Sequence, residues 1–507
     1  MNYLLGIDVG TSATKTVLFD ENGRVTASAS QEYPLYQPEN GWAEQRPEDW
    51  ADAVLNTIKE VISKSGAGKD DVKGIGISGQ MHGLVMLDEM GEVIRPSIIW
   101  CDQRTGAEVE DMLKIMPREE WIRITANPPL TGWTAAKILW VRKNEPENYN
   151  RCRHILLPKD YIRYILTGVF ATEVSDASGM QLLDVPGRCW SDEVLEALKI
   201  DKNLLGKVYE SCEATGALLA DVAKRTGLSE KCMVAGGAGD NAAAVGTGVV
   251  KDGTAFTTIG TSGVVFAHTS KPAIDPKGRI HTCCCAVPGA WHMMGVTQAA
   301  GLSLKWFKDQ FCQDYVKEAE DKGVDVYDQI NKDVAAVAPG SNRLLYLPYL
   351  MGERTPHLDP DCRGVFFGLS AIHTRKHLLR AVMEGVAYSL CDCNEILKEM
   401  GIRVDCMKAC GGGGKSPVWR QMLADLYNCS VERIVQDEGP ALGAAILAGV
   451  ACGIYESVEK ACDQLITSRD STEPKAEEVV VYEKYHRLYQ KVYTSLKNDY
   501  KELAELS

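Results

Sequence analysis

The sequence predicts a mixed α/β protein of two large domains, and three observations predict it. At 507 residues the chain exceeds what one ordinary core encloses. Its 45% hydrophobic and 24% charged residues give it the composition of a packed globular protein. Strand and helix patterns alternate along it, and one strand-turn-strand signature occurs twice.

Tyr3 to Val25 reads as strand, Gly-Thr turn, strand, Glu21-Asn22-Gly23 turn and strand, a short antiparallel meander. Pro47-Glu48-Asp49-Trp50 opens a helix running to about Ser65, because proline is preset for the first turn and acids suit the positive end of the dipole. Val72 to Ser78 and Leu84 to Asp88 read as strands, Asp102 to Lys114 and Thr134 to Lys143 as helices. Val234-Ala235-Gly236-Gly237-Ala238-Gly239 leads from a strand into a helix beginning near Asp240. Ala255 to Ile280 then nearly repeats the meander, with Gly260-Thr261-Ser262 where the first copy has Gly10-Thr11-Ser12. Thr258 stands where the first copy has Asp8, so whatever requires a carboxylate at that turn requires it once. Gln298 to Phe311 and Lys376 to Met400 are helical, and Gly411 to Gly414 opens a helix from Pro417 to about Tyr427. Glu477 to Ser507 reads as an amphipathic terminal helix for packing. The expected boundary lies near Val249, between a first domain 1–249 and a second 250–507.

A formal charge of −14 with no basic cluster excludes a surface built to follow nucleic acid. The first residues lack a basic segment and meet Asp8 at once, and Ala441 to Cys452 is too short to span a bilayer. A cytoplasmic protein without a membrane partner is expected. The 17 cysteines include no Cys-x-x-Cys pair, and Cys283-Cys284-Cys285 lacks ligand spacing, so reduced buried thiols are expected.

Gly411 to Ser416 ends like a Walker A loop, but Ala409 stands where that motif requires glycine. Asp8 likewise occupies a required glycine position of the dinucleotide fingerprint. What remains is one carboxylate with two Gly-Thr-Ser turns. Backbone amides at such turns form nests for phosphate oxygens, two nests on opposed domains grip a triphosphate, and a carboxylate beside one holds Mg²⁺ through water. Two ordinary hairpins would look the same.

Longer blocks carry a resemblance. They are Gly41-Trp42-Ala43-Glu44-Gln45, Gly79-Gln80-Met81-His82-Gly83, Leu157-Pro158-Lys159-Asp160-Tyr161, Ser175-Asp176-Ala177-Ser178-Gly179, Gly239-Asp240-Asn241-Ala242-Ala243 and Leu347 to Pro356. With the two turns and the glycine run, they resemble the FGGY family of carbohydrate kinases from Met1 to about Gly453, and within it the branch that phosphorylates xylulose. The resemblance implies two actin-like (ribonuclease H-like) ATPase domains with an interdomain cleft, the sugar mainly on the first and ATP mainly on the second. It implies transfer from ATP, with Mg²⁺, to D-xylulose; L-xylulose, ribulose or another polyol would suit a sister enzyme, and a non-kinase ATPase would use the turns alone. A homodimer is compatible with it.

The resemblance also implies roles. Asp240 becomes the catalytic base, although an aspartate there would equally cap its helix. Asp8 becomes the second catalytic carboxylate, on the metal. Met81 and His82 become the sugar contacts, His82 giving a ring N–H and Met81 an apolar wall, although a histidine there is often structural. Asn241 can donate and accept beside the base. Trp100 and Arg104 fall in a block near the sugar cleft, or are a buried aromatic and a helix-start arginine. Gly10, Thr11, Ser12, Gly260 and Thr261 fall at the phosphates, Gly301 and Lys305 near the nucleotide, and Gly412 and Gly413 against adenosine, where a flat ring can approach a backbone without Cβ. Gly414 replaces the alanine common in that loop.

Overall fold

In the computed structural model, which describes residues 1–435 and 438–506, the first meander is built from Tyr3–Val9, Ala13–Asp20 and Val25–Glu32. Neighbours in it run antiparallel. Val72–Gly79 adds parallel to Tyr3–Val9, Met233–Ala235 adds parallel to Val72–Gly79, and Ala214–Ala217 closes the edge of the six-stranded sheet. Leu5, Ile7, Ile75 and Ile77 are buried because helices and loops cover both faces of these parallel strands. The helix Pro47–Ser65 packs Trp50, Val54, Ile58 and Val61 onto one face.

The second sheet repeats this plan. Gly253–Ile259, Gly263–Thr269 and Trp291–Thr297 form its meander, and Val404–Cys410 and Ser430–Ile434 add as parallel strands beside Gly253–Ile259. Its third meander strand is Trp291–Thr297, later than the reading of Ala255 to Ile280 places it. Prolines 272 and 276 keep the intervening segment out of a ladder, and His281–Cys284 is inserted as an extra edge strand. The helix Arg375–Glu399 lies buried behind this sheet, and the terminal helix Ala476–Glu505 sets Tyr482, Tyr489 and Tyr493 into the same core.

The two halves exchange helices. Gly439–Ala451, from the second half, lies on the first sheet so closely that a Cβ on Gly6 would stand 1.8 Å from Ala441 O, and one on Gly76 1.8 Å from Ala444 O. Asn241–Gly246, from the first half, packs against that helix, where a Cβ on Gly443 would stand the same 1.8 Å from Ala242 O. Leu4, Val17, Ala242 and Val245 share one apolar cluster with Phe256, Phe266 and Ile446. All 17 cysteines are free, and among the described residues no helix is long and apolar enough to cross a membrane.

Candidate active site

Three parallel neighbours of the first sheet end on one edge. Asp8 lies at the end of Tyr3–Val9, Met81 and His82 follow Val72–Gly79, and Asp240 follows Met233–Ala235. Asp8 and Ala238 both stand in register with Ser78, so the three loops are adjacent. The carboxyl ends of strands are where open α/β sheets take ligands. The second sheet presents its own turn, Gly260 to Ser262, and the glycine run from the corresponding ends of Gly253–Ile259 and Val404–Cys410.

Asp240 precedes its helix but makes no capping hydrogen bond, so the capping role expected of it is not taken up. Asp240 is exposed to the solvent of the cleft, yet it lies deep within the protein mass, which withdraws its carboxylate from bulk water. This burial, with the charge of Asp8 adding to it, lifts its pKa to about 6. Burial also raises Asp8, opposed by the Ser78 hydroxyl and the Lys15 ammonium. Asp240 is therefore less acidic than an ordinary aspartate. Asn241 beside it is buried, and its Oδ1 has no partner among the described residues.

Met81 packs under Gly239, where a Cβ would stand 2.6 Å from its Cγ. His82 sits in the left-handed region, φ 65°, held by Nδ1 against Gly179 O at 2.9 Å and by its ring against Trp133 at 4.6 Å. Burial drives its pKa down to about 3, so the ring is neutral. A carbonyl accepts only, so Nδ1 carries the proton and Nε2 is left as an acceptor. The expected ring N–H for the sugar is thus corrected: His82 can receive a hydroxyl hydrogen, and its N–H is already taken.

Trp100 and Arg104 also need correction. The Trp100 indole N–H donates to Thr11 Oγ1 at 2.9 Å, which sets it at the first phosphate turn, exposed and not the buried aromatic of the alternative reading. The Arg104 guanidinium is sealed between Asp102, Glu44 and the Trp42 ring, 3.7 Å away. It braces the wall behind the cleft. The helix expected from Asp102 starts at Gly106, since the Asp102 carboxylate is engaged by Arg104 and by the Ala43 N–H.

On the nucleotide side each turn closes on itself, Gly10 N–H to Ala13 O and Gly260 N–H to Ser262 O, both 3.0 Å. The amides of Thr11, Ser12, Thr261 and Ser262 then have no acceptor among the described residues, the condition for an anion nest. Gly301 opens the helix Gly301–Phe311 against the second turn, with its N–H on Gly260 O at 2.7 Å. A Cβ there would fall 2.4 Å from that oxygen, so glycine is required for docking. Lys305, one turn along, is exposed and paired with Asp309 at 2.6 Å. Gly412 has nothing within 4 Å of a built Cβ and faces open space, whereas a Cβ on Gly413 would meet Ile259 Cγ2 at 2.5 Å. Gly413 therefore serves packing against the strand, and only Gly412 has the open face expected of both. A cavity of about 250 Å³ lies between this run and the helix after Asp240, lined by Ala243, Thr258, Phe256 and Gly411.

Further residues reach the site with no motif to mark them. Lys15, in register with Asp8, pairs across the cleft with Glu438. Trp133 stacks on His82, and His281, from the second half, lies 5.5 Å from Trp133 and bonds Asn127. No local pattern could have shown His281, because its neighbour Trp133 lies far away in the chain.

Comparison with known proteins identifies the family. Residues 3–246 match the model of the N-terminal domain of the FGGY family of carbohydrate kinases, and residues 255–452 match that of its C-terminal domain. The chain is 40% identical over 499 residues to a xylulose kinase of Bacillus subtilis, covering 98% of each chain. It is 39% identical over 513 residues to a xylulose kinase of Lactococcus lactis, covering 100% of this chain and 99% of the other. The structure of a ligand-bound xylulose kinase from Lactobacillus acidophilus superposes with a TM-score of 0.92 at 28% identity, covering 99% of this chain and 100% of that one. The chain therefore belongs to the FGGY family of carbohydrate kinases.

Proposed function

We propose that the protein is an ATP-dependent xylulose kinase that transfers the γ-phosphoryl group to D-xylulose, giving D-xylulose 5-phosphate and ADP. The observation that carries this is the uncapped Asp240 carboxylate, pKa about 6, opening onto the cleft beside the Met81–His82 pocket. A base is most effective when its pKa lies near the working pH, and here the carboxylate is mostly ionised at neutrality. Asp240 takes the proton of the attacking hydroxyl as the bond to phosphorus forms. The His82 Nε2 and the orphaned Asn241 Oδ1 accept other sugar hydroxyls, and Met81 and Trp133 supply apolar walls.

The free amides of the two turns hold the phosphates, and Gly412 gives the adenosine its flat approach. Asp8 and Asp240 suit hydrated Mg²⁺, since nucleotide sites use one or two carboxylates with water and phosphates, and the described residues include no denser ligand cluster. Bound there, Mg²⁺ would neutralise charge on the β- and γ-phosphate oxygens. We also assign residues 1–249 and 250–507 as the sugar and nucleotide domains. The wealth of free thiols supports a reducing compartment, the cytoplasm.

ADP release with D-xylulose, L-xylulose, D-ribulose and no sugar tests the reading. D-xylulose is expected to give the highest kcat/KM. Sugar-independent turnover, or a higher kcat/KM for another ketose, overturns it.

A further inference from the structure

The segment Glu353-Arg354-Thr355 forms part of the cleft wall contributed by the second half, and both neighbours of Arg354 are pinned. Glu353 is buried and uses Oε1 to accept the Gln298 N–H at 2.9 Å and the Arg354 N–H at 2.7 Å. Gln298 follows Thr297, which pairs with Gly263 at the foot of the second phosphate turn. On the other side the Thr355 N–H reaches Val296 O at 3.0 Å, and its hydroxyl reaches Arg279 O at 3.1 Å, close in the chain to His281. His281, Trp133 and His82 then follow ring by ring into the sugar pocket. Arg354 is thereby held between the turn that would carry phosphate and the rings that would line the sugar.

Its side chain is the exception in this framework. Among the described residues the guanidinium has neither a hydrogen bond nor an ion pair, although it is half-buried and follows a glutamate. Other arginines withdrawn from solvent are treated otherwise: the buried Arg95, Arg163, Arg380 and Arg420 and the half-buried Arg104 each pair with a carboxylate. The Glu353 charge acts on Arg354, but burial pushes the Glu353 carboxyl up to about 8, so near neutrality it is mostly protonated. A partly desolvated cation left in this way is costly, and a fold keeps one where an anion arrives with the ligand. The positive charge is felt at both histidines, where it helps to keep the rings neutral. D-xylulose is uncharged, and the adenosine side of the nucleotide falls at Gly412, which follows Val404–Cys410, a strand separated from Trp291–Thr297 by two others in the second sheet. The anion that passes Arg354 is the phosphoryl group itself.

We propose that Arg354 is a further catalytic residue that grips the phosphoryl group in transit and remains bound to it in the sugar phosphate product; this rests on the kinase reading above. The bond from phosphorus to the β,γ-bridging oxygen breaks as the bond to the sugar oxygen forms, and the hydroxyl proton goes to Asp240. Arg354 stays protonated throughout. Its planar fork matches two of the three equatorial oxygens on which charge is spread in transfer, a match that lysine makes only as a point charge.

Wild type, Arg354→Gln and Arg354→Lys are compared by steady-state kinetics, product inhibition, ADP titration and thermal melting. For Arg354→Gln we expect kcat to fall ~100-fold or more, as for loss of a transition-state donor. Inhibition by D-xylulose 5-phosphate should weaken, while KM for D-xylulose and affinity for ADP hardly move; Arg354→Lys should recover part of kcat. A folded Arg354→Gln enzyme with normal kcat and normal product inhibition overturns the proposal. Should the variants fail to fold, phenylglyoxal labelling of wild type with peptide mapping decides it. Protection of Arg354 by D-xylulose 5-phosphate and not by D-xylulose is expected, and equal protection by both, or none, overturns it. Wild-type turnover on the sugar panel is read first: activity on another ketose corrects the substrate alone, and the Arg354 measurements are then run on that ketose and its phosphate.

Discussion

At the scale of single residues, Asp240 and His82 show how environment, more than residue type, assigns a role. Asp240→Asn removes the proton acceptor and no hydrogen bond of the helix, because none is made. Sugar phosphorylation should nearly vanish while the variant melts no lower than wild type. The pH dependence has a definite sign. The carboxyl is raised from 3.8 to about 6 in the fold, so the ionised form is the one the fold disfavours, a penalty absent below 3.8 and full above about 6. Any melting advantage of Asp240→Asn should therefore grow from pH 4 to pH 7 as the wild-type group ionises. Wild-type kcat/KM should fall as pH drops through about 6, because protonated Asp240 cannot accept the hydroxyl proton. Turnover near normal in Asp240→Asn, or a flat pH profile across this range, would sink the assignment. The position of Asp240 after a glycine-rich strand end was legible in the sequence. Its missing cap was not, since that depends on a side-chain rotamer, and the protonation of His82 was not, since it is set by Gly179 O from a distant segment. Arg104 misled for the converse reason: its partners Glu44 and Trp42 lie in another block and take it out of the cleft.

At the scale of elements, glycines divide into those that let backbones touch and those that leave room for a ligand. Gly76, inside Val72–Gly79, belongs to the first kind, because its added Cβ would meet the Ala444 carbonyl of the crossing helix, and backbone cannot step aside. Gly76→Ala should lower the urea midpoint by an amount equivalent to roughly 1–3 kcal/mol or more, and should reduce activity, since the same strand carries Met81 and His82. Gly412 belongs to the second kind. With open space around its Cβ, Gly412→Ala should fold as well as wild type and yet raise KM for ATP. An unchanged KM would take the adenosine away from that face, and an unstable protein would show that the space is not open. The helix Gly439–Ala451 is apolar on every side, which a sequence reads as buried, but its destination on the other sheet is a tertiary choice no local pattern encodes. The displaced third strand of the second meander has the same origin, for an inserted edge strand leaves the repeat recognisable and shifts its spacing.

At the scale of the molecule, the duplication visible in the two Gly-Thr-Ser turns predicts two halves of like topology, but the manner of their joining decides how the protein unfolds. Independent domains meet through modest polar interfaces and commonly melt separately. Here each half lends a helix to the other, backbone oxygens of the crossing helix lie where Cβ atoms on Gly6 and Gly76 would stand, and residues from both halves form one buried cluster. Pulling the halves apart would expose that cluster on both sides and strip the first sheet of its cover. Neither half then has a stable state of its own, and the linked whole should unfold in one step. Seven of the ten tryptophans precede Val249, so tryptophan fluorescence reports mainly the first half, while far-ultraviolet dichroism reports both. In urea the two signals should trace one transition with a common midpoint, and saturating ATP should move both together, since a ligand held between the halves stabilises only the assembled fold. A fluorescence midpoint separated from the dichroism midpoint would mean that the halves are thermodynamic domains after all, and that the exchanged helices are packing without coupling.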